Sequence, residues 1–395
     1  MPEFSASQRP RVGKYLDILY VLFLTVTATV FAHGTQAIQT STEGDSGVYL
    51  FVAQSVLDGN GILSPTGAPL TIFPPGYPLL LAALGSFGLT VISAASVLNL
   101  VSIALLIPCT FLLGKMTLTG RLLPLAAATL ITTAPANYRV FSNAWSEPTF
   151  TVLMLMVILL LTFSIRRKSA PWWIVVVLTI FINVATGLRF VGVLMIPVAV
   201  LTIFYLTYRH KQFVKPIFLL IASSLSFLVI GIRNLVIGVG FMGDRTNGAL
   251  SFQGAIEQFV KQLGVYIAPP ESTSLTQIAG TVVLVALLVS IWLIFINRDS
   301  TLYPTALYFL LFWGVIVWSQ TSTRIDVNPE RLGSPAFVPV ILLCLYSLHY
   351  LGSTVNEQLS SRLGKQVSWA NIAITGSVLV VVISVNLVNS LRLLT

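Results

Sequence analysis

Charge is scarce in this sequence: Asp, Glu, Lys and Arg make up 9% of 395 residues, against 55% for the hydrophobic types. An ordinary soluble domain carries roughly 25% charged residues, and here no polar segment exceeds a few tens of residues, so a soluble fold is excluded. Strand-period alternation is not sustained anywhere, which argues against a sheet protein. Histidine is also rare. His33, His210 and His349 are scattered near the ends of apolar runs, giving little support to a histidine metal site or a Ser-His-Asp triad. A Walker loop, GxGxxG after a strand, HExxH and CxxC are all missing, which makes nucleotide chemistry a poor fit. The two cysteines, Cys109 and Cys344, both lie inside apolar runs and are taken as packing residues. No internal repeat or long low-complexity tract is evident.

What the chain does have is apolar runs close to the roughly 20 residues a helix needs to cross a bilayer, and a mean hydropathy of +0.89. The spacing predicts about eleven spans, at 15–33, 91–113, 121–137, 148–165, 171–187, 190–208, 216–235, 276–296, 303–319, 336–352 and 368–390. The run after "RPRVGK" is longer than a typical signal-peptide core and "FAHG" is a poor cleavage site, so it is expected to be retained as the first span. The expected fold is therefore an all-α polytopic membrane protein, one transmembrane domain over 1–395 with no separate soluble domain.

The net charge of +9 would suggest nucleic acid in a soluble protein, but here the basic residues fall between apolar runs, so they are read as topology and no nucleic-acid partner is expected. With a cytoplasmic N-terminus, the inner segments hold 14 of the 22 basic residues, including "RRK" at 166–168 and "RHK" at 209–211. Short basic loops of this kind orient membrane proteins. Segments 34–90, 236–275 and 320–335 then face outward. In the first, Val48, Phe51, Val52 and Val56 predict a short helix along the membrane surface. "FPPGYP" breaks the chain and starts a second one over roughly 77–88. A further interfacial helix is expected within 258–273.

Charges near membrane depth are costly, about 2.5–3.5 kcal/mol each at a helix centre, so the survivors are functional candidates. Asp45, Glu147, Arg189, Arg233 and Arg331 all fall at the same predicted face. Each also has a plainer explanation. Asp45 and Glu147 could simply cap helices, Arg189 and Arg233 could snorkel to headgroups, and Arg331 could pair with Glu330 or Asp326.

Four stretches, "EGDSGVYLFVAQSVLDGNG" with "PPGYPLLLAAL", "FSNAWSEPTF", "ATGLRFVGVLMIPVA" and "ERLGSPAFVPVI", together resemble the GT-C superfamily of membrane glycosyltransferases. The likeness is closest to the branch of protein O-mannosyltransferases and lipid A aminoarabinose transferases, and it covers roughly residues 10 to 350. It implies interfacial helices in the first outer loop and a polyprenyl-phosphate-linked sugar as donor. It also implies an acidic base in that loop, corresponding to Asp45, with Glu43 as second choice. Arg189 and Arg331 would hold the lipid phosphate, with Arg233 as a further candidate. Glu147 matches an acidic position of the second outer loop and would be a further catalytic residue, orienting the acceptor or helping to bind a metal, while Tyr49, Tyr77 and Asn143 would contact sugar. A divalent cation, Mg or Mn, is an open option with Asp45 as its ligand, weakened because Ser46 and Gly47 stand where many relatives carry a second acid. The soluble C-terminal domain that some relatives use is not expected here.

The resulting expectation is an integral plasma-membrane glycosyltransferase moving a hexosyl or pentosyl group to an acceptor glycan, lipid or protein. Transfer would take place on the periplasmic, extracellular or luminal side, with inversion. A lipid-linked glycan flippase and a non-catalytic GT-C-like subunit of a larger complex are the alternatives; a flippase would place polar groups along a path through the bilayer.

Overall fold

In hydrocarbon every backbone polar group must find its partner within the protein, which favours helices. The computed structural model describes residues 9–39, 44–244, 248, 250–268, 273–323, 329–363 and 369–393, and within them the chain is helical, with one isolated bridge between Leu63 and Pro69 and no strand. In order, the helices are α1 (Arg9–Gln39), α2 (Gly44–Leu57), α3 (Gly76–Gly85), α4 (Val91–Thr117), α5 (Leu122–Thr133), α6 (Pro135–Phe141), α7 (Glu147–Arg167), α8 (Trp172–Leu188) and α9 (Met195–Thr207). They continue with α10 (Val214–Ser223), α11 (Leu225–Val236), α12 (Phe252–Gly264), α13 (Thr273–Asn297), α14 (Tyr303–Ser322), α15 (Pro329–Gly333), α16 (Phe337–Leu363) and α17 (Trp369–Leu391). Short 3-10 turns, Phe190–Leu194 and Ser334–Ala336, lead into α9 and α16.

Among the described residues, eight helical stretches are long and apolar enough to cross a membrane: Gly13–Gln36, Val91–Thr117, Glu147–Arg167, Phe190–His210, Val214–Val236, Thr273–Asn297, Ser300–Ser322 and Glu330–Ser361. The other three expected spans fall on α5 and α8, which are shorter, and on α17, so eight spans meet that length and hydropathy among the described residues and the exact count of eleven is not confirmed. The stretch 121–137 is divided at Ala134, because Pro135 cannot donate to the preceding turn and opens α6 instead. The stretch 171–187 is α8, with 17 residues. The last falls on α17, represented by the apolar stretch Gly376–Leu391.

The centre is α4 and α7, packed on each other, with α1 and α5 against α4 and with α8 and α9 against α7. A second group, α13, α14, α16 and α17, closes on this centre through contacts of α14 with α9 and of α16 and α17 with α5. At one end, Asp17 of α1 pairs with Arg121, the residue before α5, and Arg121 also donates to the Gly13 carbonyl at 3.1 Å. At the other end, the short helices α2, α3, α6, α12 and α15 gather.

The first of these differs from the surface helix that its sequence predicts. Val48, Phe51, Val52 and Val56 do not form one buried face: Phe51 is exposed while Val52 is buried. The packed face is Tyr49, Val52 and Ala53, which lie in the core against α3. The aromatic pair Tyr49–Tyr77 ties the two helices, with ring centroids 5.1 Å apart. The expected helices at 77–88 and within 258–273 are α3 and α12, each ending earlier than the sequence suggests.

Candidate active site

Four segments far apart in sequence each bring one charged side chain to the end where the short helices gather. Glu147 is the first residue of α7, where Pro148 is tolerated because the first turn needs no N–H donor. Ser146 precedes it without making a side-chain cap. Arg189 follows α8 in extended conformation before the turn Phe190–Leu194. Arg331 lies in α15, its carbonyl accepting from Ser334 Oγ at 3.0 Å. Asp45 is in the first turn of α2.

Arg331 bridges the two carboxylates. Its Nη1 is 2.5 Å from Asp45 Oδ2, and its Nε donates to Glu147 Oε1. The same Glu147 oxygen pairs with Arg189 Nη1, which also donates to Ser146 Oγ at 3.2 Å. The Arg331 guanidinium stands 4.7 Å from the Trp145 ring centroid. Side-chain exposure falls from 30% at Asp45 and 20% at Arg189 to 5% at Arg331 and 0% at Glu147. Asp45 is thus the open end of the cluster, and Glu147 its buried hub. Arg189 Nε is buried without a hydrogen-bond partner, leaving a cationic donor unspent.

Tyr49 and Tyr77 stand beside the cluster. Burial, reinforced by the Glu147 charge, pushes the Tyr49 hydroxyl up to about 12. Burial likewise raises Tyr77, whose hydroxyl has no partner. Both phenols therefore keep their protons at neutral pH and can donate hydrogen bonds.

The other sequence candidates have separate surroundings. Asn143 supports the loop between α6 and α7: its Nδ2 donates to the Arg139 carbonyl at 2.7 Å, and its own carbonyl accepts from Asn99 at 2.7 Å. Arg233 donates to the Leu70 carbonyl at 2.8 Å and so holds the loop between α2 and α3. Glu43 lies outside the described residues.

Sequence reasoning missed a second ion pair. Glu330 pairs with Arg139 of α6 at 2.5 Å, and its carbonyl accepts from Tyr266 at 2.8 Å. The suggestion that Arg331 pairs with neighbouring Glu330 is therefore corrected: adjacent residues on a short helix point to different partners. Asp326 lies outside the described residues. The available signal was Arg139 itself, a lone cation in the otherwise uncharged stretch between Arg121 and Glu147. Among the described residues, then, Arg139, Arg189 and Arg331 face Asp45, Glu147 and Glu330.

No site for a divalent cation is evident among the described residues. Among the described residues no three or more His, Cys, Asp or Glu side chains come together. Glu147 Oε1 is shared by two guanidiniums and Asp45 already meets Arg331, whereas a hard cation needs free oxygen ligands around it.

Close helix packing fixes where Arg189 emerges. A Cβ on Gly76 would collide with the Gly187 carbonyl, and one on Gly192 would lie 2.6 Å from the Thr186 nitrogen. Gly76→Ala is expected to push α3 from the end of α8, costing about 1–3 kcal/mol by overpacking. A lowered unfolding temperature in detergent, together with weakened activity, is the expected result.

No protein-family model matches the sequence, and a sequence comparison finds no curated relative. Solved structures do match. ArnT from Cupriavidus metallidurans in the apo state superposes with a TM-score of 0.61 at 13% identity, covering 95% of this chain and 76% of that one. The same protein bound to undecaprenyl phosphate gives 0.57, with the same identity and coverage. This chain has the GT-C fold. The apo oligosaccharyltransferase of Archaeoglobus fulgidus also shares it, with a TM-score of 0.54 at 11% identity over 95% of this chain and 56% of that one. The expectation of a GT-C-like helical membrane fold is thus met, and at these identities the likeness is one of fold.

Proposed function

We propose that this chain is an integral-membrane glycosyltransferase that moves a sugar from a polyprenyl phosphate to an acceptor hydroxyl. The observation that carries the reading is Arg331 joining Asp45 and Glu147, with Arg189 on the same Glu147 oxygen, in a chain of GT-C fold. Support for a lipid-phosphate donor comes from the structural neighbour that binds undecaprenyl phosphate. The basic loops at the opposite end favour a cytoplasmic N-terminus and a site on the outer face of the plasma membrane.

In this mechanism the acceptor oxygen attacks the anomeric carbon while Asp45, the more open carboxylate, takes its proton. The bond from that carbon to the phosphate oxygen breaks, and the electron pair stays on the phosphate. Arg189 and Arg331 hold the growing negative charge, their planar donors matching phosphate oxygens. Attack opposite the leaving phosphate inverts the anomeric configuration. Glu147 keeps the two guanidiniums side by side. Tyr49 and Tyr77 supply neutral donors for sugar hydroxyls. The acceptor is a glycan, lipid or protein hydroxyl.

The direct test is binding of undecaprenyl phosphate to purified protein. Arg189→Ala and Arg331→Ala are each expected to weaken it by tenfold or more, as loss of a charge-assisted contact of about 1.5–3 kcal/mol requires. Unchanged affinity in both variants would remove the phosphate from this site. Transfer from lipid-linked sugars in proteoliposomes then tests the activity itself.

A further inference from the structure

The two ends of the helical bundle fill most of their left-handed turns with different residues. A left-handed turn position suits glycine, because any other L side chain crowds the neighbouring carbonyl. At the end holding the Glu147 cluster, the chain leaves α2, α3 and α11 through left-handed Gly59, Gly88 and Gly238. At the opposite end, left-handed Gly120 lies between α4 and α5, while the left-handed positions that follow α7, the turn after α9, and α13 are Lys168, Lys211 and Arg298, with φ of 51°, 52° and 54°. They are the only non-glycine residues with positive φ among those described.

That these three share an end follows from the helices. The span that begins at Glu147 ends at Arg167, and the one that begins beside Arg189 ends at His210. The turn after Arg298 meets the far part of α7, where Thr162 donates to the Thr301 carbonyl at 3.5 Å. All three basic side chains are exposed and none is in an ion pair among the described residues. Asp299 makes no ion pair with Arg298 among the described residues; its carboxylate accepts from the Thr301 hydroxyl at 2.6 Å. Trp172, Trp173 and Tyr208 are exposed at the same end; aromatic residues of this kind collect at the level of lipid headgroups.

We propose that Lys168, Lys211 and Arg298 form a binding surface for the phosphates of anionic phospholipids, at the end of the bundle opposite the Glu147 cluster. A cation placed where glycine would be less strained has to be favoured for its charge. The aromatic side chains set the depth of the headgroups, and the three cations stand at that depth without an ion pair among the described residues. This surface is independent of the transferase reading. It also differs from a purely topogenic use of the same charges, which would end once the chain is inserted.

Thermal unfolding of purified protein in a neutral detergent separates these uses. Phosphatidylglycerol is expected to raise the wild-type melting temperature, whereas phosphatidylcholine and inorganic phosphate leave it unchanged, and high salt is expected to remove the shift. The triple variant K168G/K211G/R298G is expected to melt at or above the wild-type temperature without lipid, while its apparent affinity for phosphatidylglycerol falls at least tenfold. A triple Asn variant, which tolerates the left-handed conformation without the charge, is expected to behave alike. The proposal is overturned if phosphatidylglycerol does not shift the wild type, if salt leaves the shift intact, or if the uncharged variants respond as the wild type does. Because the salt and lipid comparisons need only wild-type protein, they decide the matter even where a variant fails to insert.

Discussion

Asp45→Asn is expected to lower sugar transfer by about 10²–10⁴-fold, the range for losing a positioned general base, while leaving the protein folded. Its carboxylate is the most exposed member of the cluster, and Arg331 retains Glu147 when the charge is lost. The same variant has a second expected effect in the opposite direction. Arg331 already pairs with Asp45, so a phosphate entering beside Arg331 is expected to compete with Asp45 for it. Removing the Asp45 charge removes that competitor, and undecaprenyl phosphate should bind more tightly to the inactive variant than to wild type. Isothermal titration of both proteins checks this. Transfer at the wild-type rate would rule Asp45 out as base; weaker phosphate binding would show that Asp45 and the lipid do not contend for Arg331. On the proposed reading, such competition would order the reaction, with Asp45 released from its ion pair once a donor phosphate has taken its place.

Glu147 is expected to behave in the opposite way. It has no exposed surface, and two guanidiniums share one of its oxygens. Glu147→Gln leaves Arg331 and Arg189 as buried cations facing a neutral amide, and breaking such a pair typically costs about 3–5 kcal/mol. Unfolding of the detergent-solubilised variant should occur at markedly lower temperature, with transfer lost as a consequence of misplaced arginines. If Glu147→Gln melts like wild type while Asp45→Asn does not, the assignment of hub and base is reversed. Comparing the two substitutions separates structural from chemical loss, since both exchange a carboxylate for an amide of similar shape.

How much of this was legible in the sequence depends on the residue. In a chain so poor in charge, Asp45, Glu147, Arg189 and Arg331 stand out individually, and loop charges suggest that they share a face. The structure joins all four in one network. Arg233 carries the same sequence signal, yet it is engaged by a backbone carbonyl of the loop between α2 and α3. Pairing was not legible. Arg331 stands next to Glu330, and proximity in sequence suggested a bond between them, whereas a short helix aims neighbouring side chains in different directions. Hydropathy was informative for the eight long helices and less so for 121–137, where Pro135 outweighs an apolar run. Tyr49 was picked out as a sugar contact, but its place in the core could not be read from α2, whose apolar residues lie on several sides of the helix.

The bridge made by Arg331 has a consequence for biogenesis. Arg331 stands 184 positions beyond Glu147. Glu147 and Arg189 enter the bilayer on neighbouring helices and can pair as soon as the hairpin of α7 and α8 is inserted. Asp45 has to wait for a residue that the ribosome supplies much later, on the stretch leading into α16. Until then the candidate base and the candidate phosphate clamp belong to separate parts of an unfinished assembly. A nascent chain released early would carry most of the transmembrane scaffold without the joined cluster, so on the proposed reading partial products of synthesis would be chemically silent.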